Sequence, residues 1–282
     1  MRCAWQEYLR LLPNWMRRDV DAIGSIQLQE LRLRTGLPPE LVLGNHSQWL
    51  NRNVSSEDLQ YVINAASQYS PWAAATASDG YITAAGGHRI GICGDAVVEN
   101  GIMRGIRKPV SLCVRVARDF PGISGNAENF NGSVLIIGSP GSGKTTLLRD
   151  IIRQRSNYKN KSIAVVDERG ELFPVASDGP CFESGKRTDI MRFCGKPHGI
   201  LTVLKTMGPG SIAVDEITGE ADCNALLLAG WCGVSLLATA HAANRNDLFK
   251  RPIYRPLIEG KIFDTLLIMM PDKSFRIERM SL

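Results

Sequence analysis

The chain has 282 residues, 44% of them hydrophobic and 22% charged, with a net charge of +5. That size accommodates two domains, the composition is that of a globular chain, and the mild charge gives no strong argument for a nucleic-acid or membrane surface. Seven cysteines without a Cys-x-x-Cys pair argue against a disulfide framework or a zinc site and fit a reducing cytoplasm.

From the N-terminus, polar residues interrupt Trp5, Tyr8, Leu9 and Leu12, so no secretory signal is expected. The same residues with Trp15 and Met16 approach an i, i+3, i+4 stripe, with Pro13 as a stop or kink, and such a stripe is more often core than a partner surface. Alternation over Leu28 to Arg34 and the run Leu41-Val42-Leu43 before Gly44 predict short strands around a turn. Ser55 ahead of Leu59, Val62, Ile63 and Ala66 predicts an N-capped helix. From Tyr81, glycines at 86, 87, 91, 94 and 101 predict short strands, ending in Ser111 to Val116. Residues 1–120 therefore read as an α+β domain, and the Pro, Gly and Asn residues of 121–132 as a linker.

Beyond the linker, apolar strands alternate with helices: Val134 to Ile137, Ile163 to Val166, Ser211 to Val214, Val234 to Thr239, Ile262 to Met270, and a last strand near Phe275 to Ile277. This order predicts an α/β domain over 133–282 with a mostly parallel sheet. Ala225 to Ala243 has a length and apolarity that could suggest a membrane span. Gly230-Trp-Cys-Gly233 splits it, however, into a buried helix and a buried strand.

The strongest motif follows the first of these strands: Gly138-Ser139-Pro140-Gly141-Ser142-Gly143-Lys144-Thr145, then Thr146 and a helical pattern of Leu147, Leu148, Ile151 and Ile152. A Gly-x-x-x-x-Gly-Lys-Thr loop between a strand and a helix is a phosphate cradle. Glycines let backbone N–H groups close on phosphate oxygens, and the helix aims its positive end at them. Residues 138 to 146 are thus expected to bind ATP, with Lys144 on the β- and γ-phosphates and Thr145 on Mg²⁺. A turn merely joining strand to helix is the bland alternative.

Ile212-Ala213-Val214 runs into Asp215-Glu216, a Walker B pattern in which Asp215 would hold Mg²⁺ opposite Thr145 and Glu216 would orient the attacking water. Asp167-Glu168-Arg169-Gly170-Glu171 ends another strand and either lines the nucleotide or forms solvated loop charges. His241 ends the fourth strand on the same expected edge and is either a contact to phosphate or acid, or structural. Arg104, Arg107, Lys108, Arg115 and Arg118 have no acidic neighbour between Asn100 and Asp119. They either complete a phosphate site, as arginine fingers do, or form a solvated basic strand, and missing aromatic interleaving speaks against nucleic acid.

In combination, Gly87-His-Arg-Ile-Gly91, Ser111-Leu-Cys-Val-Arg115, the P-loop, Val166-Asp-Glu-Arg-Gly-Glu171, Arg187-Thr-Asp-Ile190, Ala213-Val-Asp-Glu-Ile217 and Ala238-Thr-Ala-His241 resemble the secretion and pilus motor ATPases of the RecA-like P-loop class. The resemblance is greatest to a branch from endospore-forming bacteria. It implies a RecA-like ATPase domain behind the smaller N-terminal domain, with Lys144, Glu216, Glu168 and His241 catalytic and Arg115 facing nucleotide. It also implies a cytoplasmic homo-oligomer, typically a hexamer, docked without a span of its own on a membrane complex that forms a channel between mother cell and forespore. Thr218-Gly219-Glu220 stands where relatives carry Gly-Arg, which keeps open an ATP-regulated assembly platform with little turnover. The charge and the Arg104 to Arg118 cluster keep open a nucleic-acid-dependent ATPase.

Overall fold

The computed structural model describes residues 1–67, 80–125, 131–158, 162–176 and 179–280. The chain divides into two units, Met1–Asp119 with Pro174–Phe182, and Phe120–Phe173 with Glu183–Leu282. The excursion of Pro174–Phe182 into the first unit carries no apolar run or motif by which the sequence would announce it. Residues 126–130 of the expected linker lie outside the described residues.

In the first unit, helices Trp5–Arg10 and Asn14–Gln27 are separated at Pro13, whose ring cannot supply the N–H a continuous helix needs. Tyr8, Leu9, Leu12 and Met16 are buried, as their spacing predicts. Trp5 and Trp15 stay at the margin because each indole N–H has a carboxylate to reach, Asp21 at 2.7 Å and Asp58 at 2.9 Å. Helix Ser56–Ser67 begins with reciprocal capping: the Asp58 N–H donates to Ser55 Oγ at 3.3 Å and the Ser55 N–H to Asp58 Oδ2 at 2.9 Å.

These helices accompany a six-stranded antiparallel sheet of β1 (Glu30–Arg34), β2 (Glu40–Leu43), β3 (His46–Trp49), β4 (Tyr81–Thr83), β5 (Arg89–Glu99) and β6 (Ile102–Arg115), in the order β3-β2-β1-β6-β5-β4. In place of the short strands expected after Tyr81, β5 and β6 form one long hairpin. Its two-residue turn, Asn100 at φ 52° and Gly101 at φ 76°, has the left-handed pair of a type I′ turn, whose twist matches that of the strands. Gly94 falls inside β5 at a register shift, where a Cβ would lie 2.5 Å from the Lys108 carbonyl oxygen. This glycine marks a bulge and leaves the strand unbroken.

The second unit is built on a seven-stranded sheet. Its strands are β7 (Val134–Ile137), β8 (Ile163–Asp167), β11 (Thr188–Arg192), β12 (Ser211–Val214), β13 (Ser235–Ala240), β14 (Thr265–Met269) and β15 (Phe275–Arg279); the two-residue strands β9 (Val175–Ala176) and β10 (Gly179–Pro180) belong to the first unit. The order is β11-β8-β12-β13-β7-β14-β15, parallel except for the antiparallel edge strand β15. The central strands are buried along their whole lengths, so they read as continuous apolar runs. Strand β11 is half-exposed at every position, and no apolar run marks it in the sequence. Helix Glu220–Trp231 ends before Gly233, at φ 83°, and β13 follows, as the glycine-split segment predicts. Among the described residues no helix is long and apolar enough to cross a membrane.

Candidate functional site

The parallel register brings four strand ends together. Ile137 pairs with Ala240, Ala238 with Val214, and Val214 with Val166, so Gly138, His241, Asp215 and Asp167 all follow at the carboxyl edge, where α/β sheets bind ligands. Helix Lys144–Tyr158 starts at the same edge.

The loop before that helix has the backbone of a phosphate cradle. Gly141 lies at φ 74° and Gly143 at φ 102°, conformations that a residue with a Cβ rarely adopts. A Cβ on Gly138 would meet Ser142 Oγ at 2.5 Å and Met269 Cβ at 2.8 Å, so the loop closes only on glycine. The Ser142 hydroxyl oxygen is buried without a hydrogen-bond partner among the described residues, as a group facing a ligand would be. Lys144, 6% exposed, folds back on its own loop and donates to the carbonyls of Gly138 at 3.0 Å and Ser139 at 2.9 Å. Its Nζ also lies 3.2 Å from His241 Nδ1. Burial pulls the Lys144 pKa below its ordinary value, with Asp215 and Glu216 opposing. Three partners of fixed position thus hold an ammonium that burial makes costly.

Asp215 has both oxygens engaged: Thr145 Oγ1 donates to Oδ2 at 2.7 Å and Thr239 Oγ1 to Oδ1 at 2.6 Å. Glu216 has a left-handed backbone, at φ 54°. Its Oε2 accepts from Arg169 Nη1 at 3.1 Å, and its Oε1 lies 3.1 Å from His241 Nε2. Burial raises the Glu216 pKa, but Arg169 and His241 outweigh it and hold the carboxyl below its ordinary range. His241 therefore bridges Lys144 to Glu216. A chain of polar contacts runs from the P-loop through both acids to the end of β13.

The acidic stretch after β8 divides by burial. Asp167, 4% exposed, accepts the N–H groups of Glu171 at 2.9 Å, Leu172 at 3.0 Å and Phe173 at 3.2 Å. It shapes its own loop, an outcome between the two alternatives of nucleotide contact and solvated charge. Burial, partly offset by these N–H donors, raises its pKa. Glu168 pairs with the buried ammonium of Lys196, which also lies 3.7 Å from Asp222. A cavity of about 30 Å³ lies between Glu168, Arg169, Lys196, Asp215 and Glu216, room for one water molecule.

Lys144, Thr145, Asp215, Glu216 and His241 thus stand within one hydrogen-bonded set, with Glu168 beside it. Arg115 belongs to the first unit, where it pairs with Glu30 at 3.3 Å. The sequence leaves its cluster without acidic neighbours, but the hairpin returns Arg104 to Glu99 at 3.6 Å. Arg118 instead donates to the Ser25 and Leu28 carbonyls. Arg169 lies within the stretch that the sequence offered either as a lining of the nucleotide or as solvated loop charges. Sequence reasoning gave no role to Thr239 or Lys196, and of these two only Thr239 carried a signal, its position two residues before His241 at a strand end.

No set of three or more His, Cys, Asp or Glu side chains among the described residues is arranged to hold a metal by itself. The facing Thr145 and Asp215 oxygens fit a Mg²⁺ ion that takes its remaining ligands from phosphate and water.

The mostly parallel sheet, with a P-loop and an acid pair at its carboxyl edge, has a fold similar to that of solved secretion ATPases. The structure is similar to the ATPase DotB of Legionella pneumophila, with a TM-score of 0.59 and 18% identity over 96% of this chain and 80% of that one. It is similar also to the pilus retraction motor PilT, solved with bound ADP, with a TM-score of 0.57 and 12% identity over 89% and 76% of the two chains. The profile of the family "Sporulation stage III, protein AA" matches residues 5–277, and the stage III sporulation protein AA of Bacillus subtilis (strain 168) is 34% identical over 93% of this chain and 89% of its own length. The chain belongs to the stage III sporulation protein AA family.

Proposed function

We propose that the chain is a Mg²⁺-dependent ATPase that powers or assembles a sporulation channel. The observation that supports this reading is the continuous contact from Lys144 through His241 and Glu216 to Asp215 and Thr145, which brings the P-loop, the Thr145 and Asp215 oxygens and the Glu216 carboxylate to one edge. When bound, Mg²⁺ neutralises charge on the phosphates. Lys144, released from the Gly138 and Ser139 carbonyls, neutralises the γ-phosphate, while Glu216 orients the attacking water and accepts its proton. His241 holds Glu216 and reports its state to Lys144, and Glu168 sets the Lys196 side of the cavity.

Around that site we place a homo-oligomer, a hexamer as the resemblance to secretion motors implies, on the cytoplasmic face of a membrane complex between mother cell and forespore. A partner makes the membrane attachment, and Arg115 of the first unit faces nucleotide. The test is phosphate release by the purified chain with Mg²⁺ and ATP. Turnover above a Lys144→Ala control is expected, and release equal to that control rejects hydrolysis.

A second reading, an ATP-controlled assembly platform with little turnover, draws on two observations. Arg169 and His241 already occupy both oxygens of Glu216, and Thr218, which follows Ile217, spends its N–H and hydroxyl on Asp222 and offers no cation to the site. Sedimentation separates the two readings. Rings that form with ATP while phosphate release stays at the Lys144→Ala level favour the platform.

A further inference from the structure

We infer that Thr239 is the positioning residue of this site and selects which oxygen of Asp215 is offered to metal. The inference rests on the Mg²⁺-ATP reading above and adds a residue to it.

Thr239 has no exposed surface and holds three successive residues of the acid-bearing turn. Its hydroxyl donates to Asp215 Oδ1 at 2.6 Å and accepts from the Glu216 N–H at 2.8 Å. Its backbone carbonyl accepts from the Ile217 N–H at 2.9 Å. A hydroxyl has a single proton to give. Because the Glu216 N–H can only donate, that proton goes to Asp215, and the direction of the contact is fixed.

Two consequences follow. First, with Oδ1 committed to Thr239, the carboxylate turns Oδ2 toward Thr145, 2.7 Å away, and this is the oxygen left facing the metal position. Second, the N–H bond pins Glu216 at φ 54°, a left-handed conformation that is unfavourable for a non-glycine residue. Residues held in such conformations persist where the surroundings over-determine them. Here the Thr239 hydroxyl holds the Glu216 N–H from the neighbouring strand, while Arg169 and His241 hold its carboxylate. The site thus depends on a threonine that touches neither phosphate nor metal, in the manner of outer groups that orient a metal ligand.

The test compares Thr239→Val, which keeps the shape and loses the hydroxyl, with Thr239→Ser, which keeps the hydroxyl. Two readouts apply: amide hydrogen exchange over residues 215–217 in the nucleotide-free protein, and the Mg²⁺ concentration needed for half-maximal binding of a fluorescent non-hydrolysable ATP analogue. Thr239→Val is expected to lose protection at Glu216 and to need roughly 10- to 100-fold more Mg²⁺, with analogue binding in EDTA unchanged. Thr239→Ser restores both. If Thr239→Val does not fold, Thr239→Ala supplies the same arm with a smaller side chain. Wild-type exchange and Mg²⁺ dependence in the hydroxyl-free variant overturn the inference, as does Thr239→Ser failing as badly as Thr239→Val, which would reduce the residue to packing. A wild-type chain that binds the Mg²⁺-analogue complex but releases no phosphate rejects hydrolysis and leaves the Thr239 result standing.

Discussion

Each unit contains one histidine tied at both ring nitrogens, and the two are tied to opposite kinds of partner. His88 of the first unit has no exposed surface. Its Nδ1 accepts the Ala117 N–H at 3.1 Å, so Nε2 carries the proton and donates to the Ala4 carbonyl at 3.0 Å. Its ring also meets Tyr8 edge-on at 5.0 Å. His241 of the second unit lies half-exposed at a sheet edge, between an ammonium and a carboxylate. Backbone partners and full burial make a fixed, neutral joint. Charged side-chain partners at a sheet edge make a bridge between Lys144 and Glu216, and the residue type alone decides nothing.

Acid should break that symmetry first. Burial pushes the His88 pKa down to about 4 from 6.5, while in the unfolded chain it returns to the ordinary value. Above pH 6.5 the ring is neutral in both states and costs nothing. As pH falls from 6.5 to about 4 the unfolded chain takes up the proton first. The first unit then loses up to roughly 3 kcal/mol. Denaturant melts followed by Trp5 and Trp15 fluorescence should show this loss, and His88→Gln should flatten it; an acid slope that survives the substitution would clear His88.

His241→Asn is expected to do the converse. It should leave the acid slope of the first unit in place and lower phosphate release by roughly tenfold or more, the range of a positioned hydrogen bond to a charged group. Unchanged release would return His241 to a structural role. Smaller again is the turn of the long hairpin: Gly101→Ala, at φ 76°, should cost about 1 kcal/mol of first-unit stability and nothing in turnover. A loss of turnover would show that the hairpin serves the site.

The contrast between the units also explains what the sequence reveals. The second unit's central strands are buried on both faces, so they stand out as apolar runs, and the residues after Ile137, Val166, Val214 and Ala240 reach one edge because a parallel sheet leaves them no other place. Lys144, Thr145, Asp215, Glu216 and His241 are legible for that reason. Strand β11 is not, because its half-exposed residues mix Thr, Asp and Arg with Ile and Met. Thr239 escapes because a buried threonine in a strand is ordinary until its hydroxyl is seen between two acids. In the first unit, glycines at 94 and 101 suggest breaks where one is a bulge and the other a tight turn. Arg115 finds Glu30 across the sheet, a partner far away in sequence that antiparallel pairing supplies.

In the proposed mechanism Glu216 works on water at a site whose nucleotide is held by other groups. Glu216→Gln, which keeps the shape and removes the charge, separates these two roles in parallel assays of ATP-analogue binding and steady-state phosphate release. Binding within about threefold of wild type, as for a group that does not hold the nucleotide, with release lowered roughly 10²- to 10⁴-fold, is the expected result. Wild-type phosphate release by Glu216→Gln would contradict it.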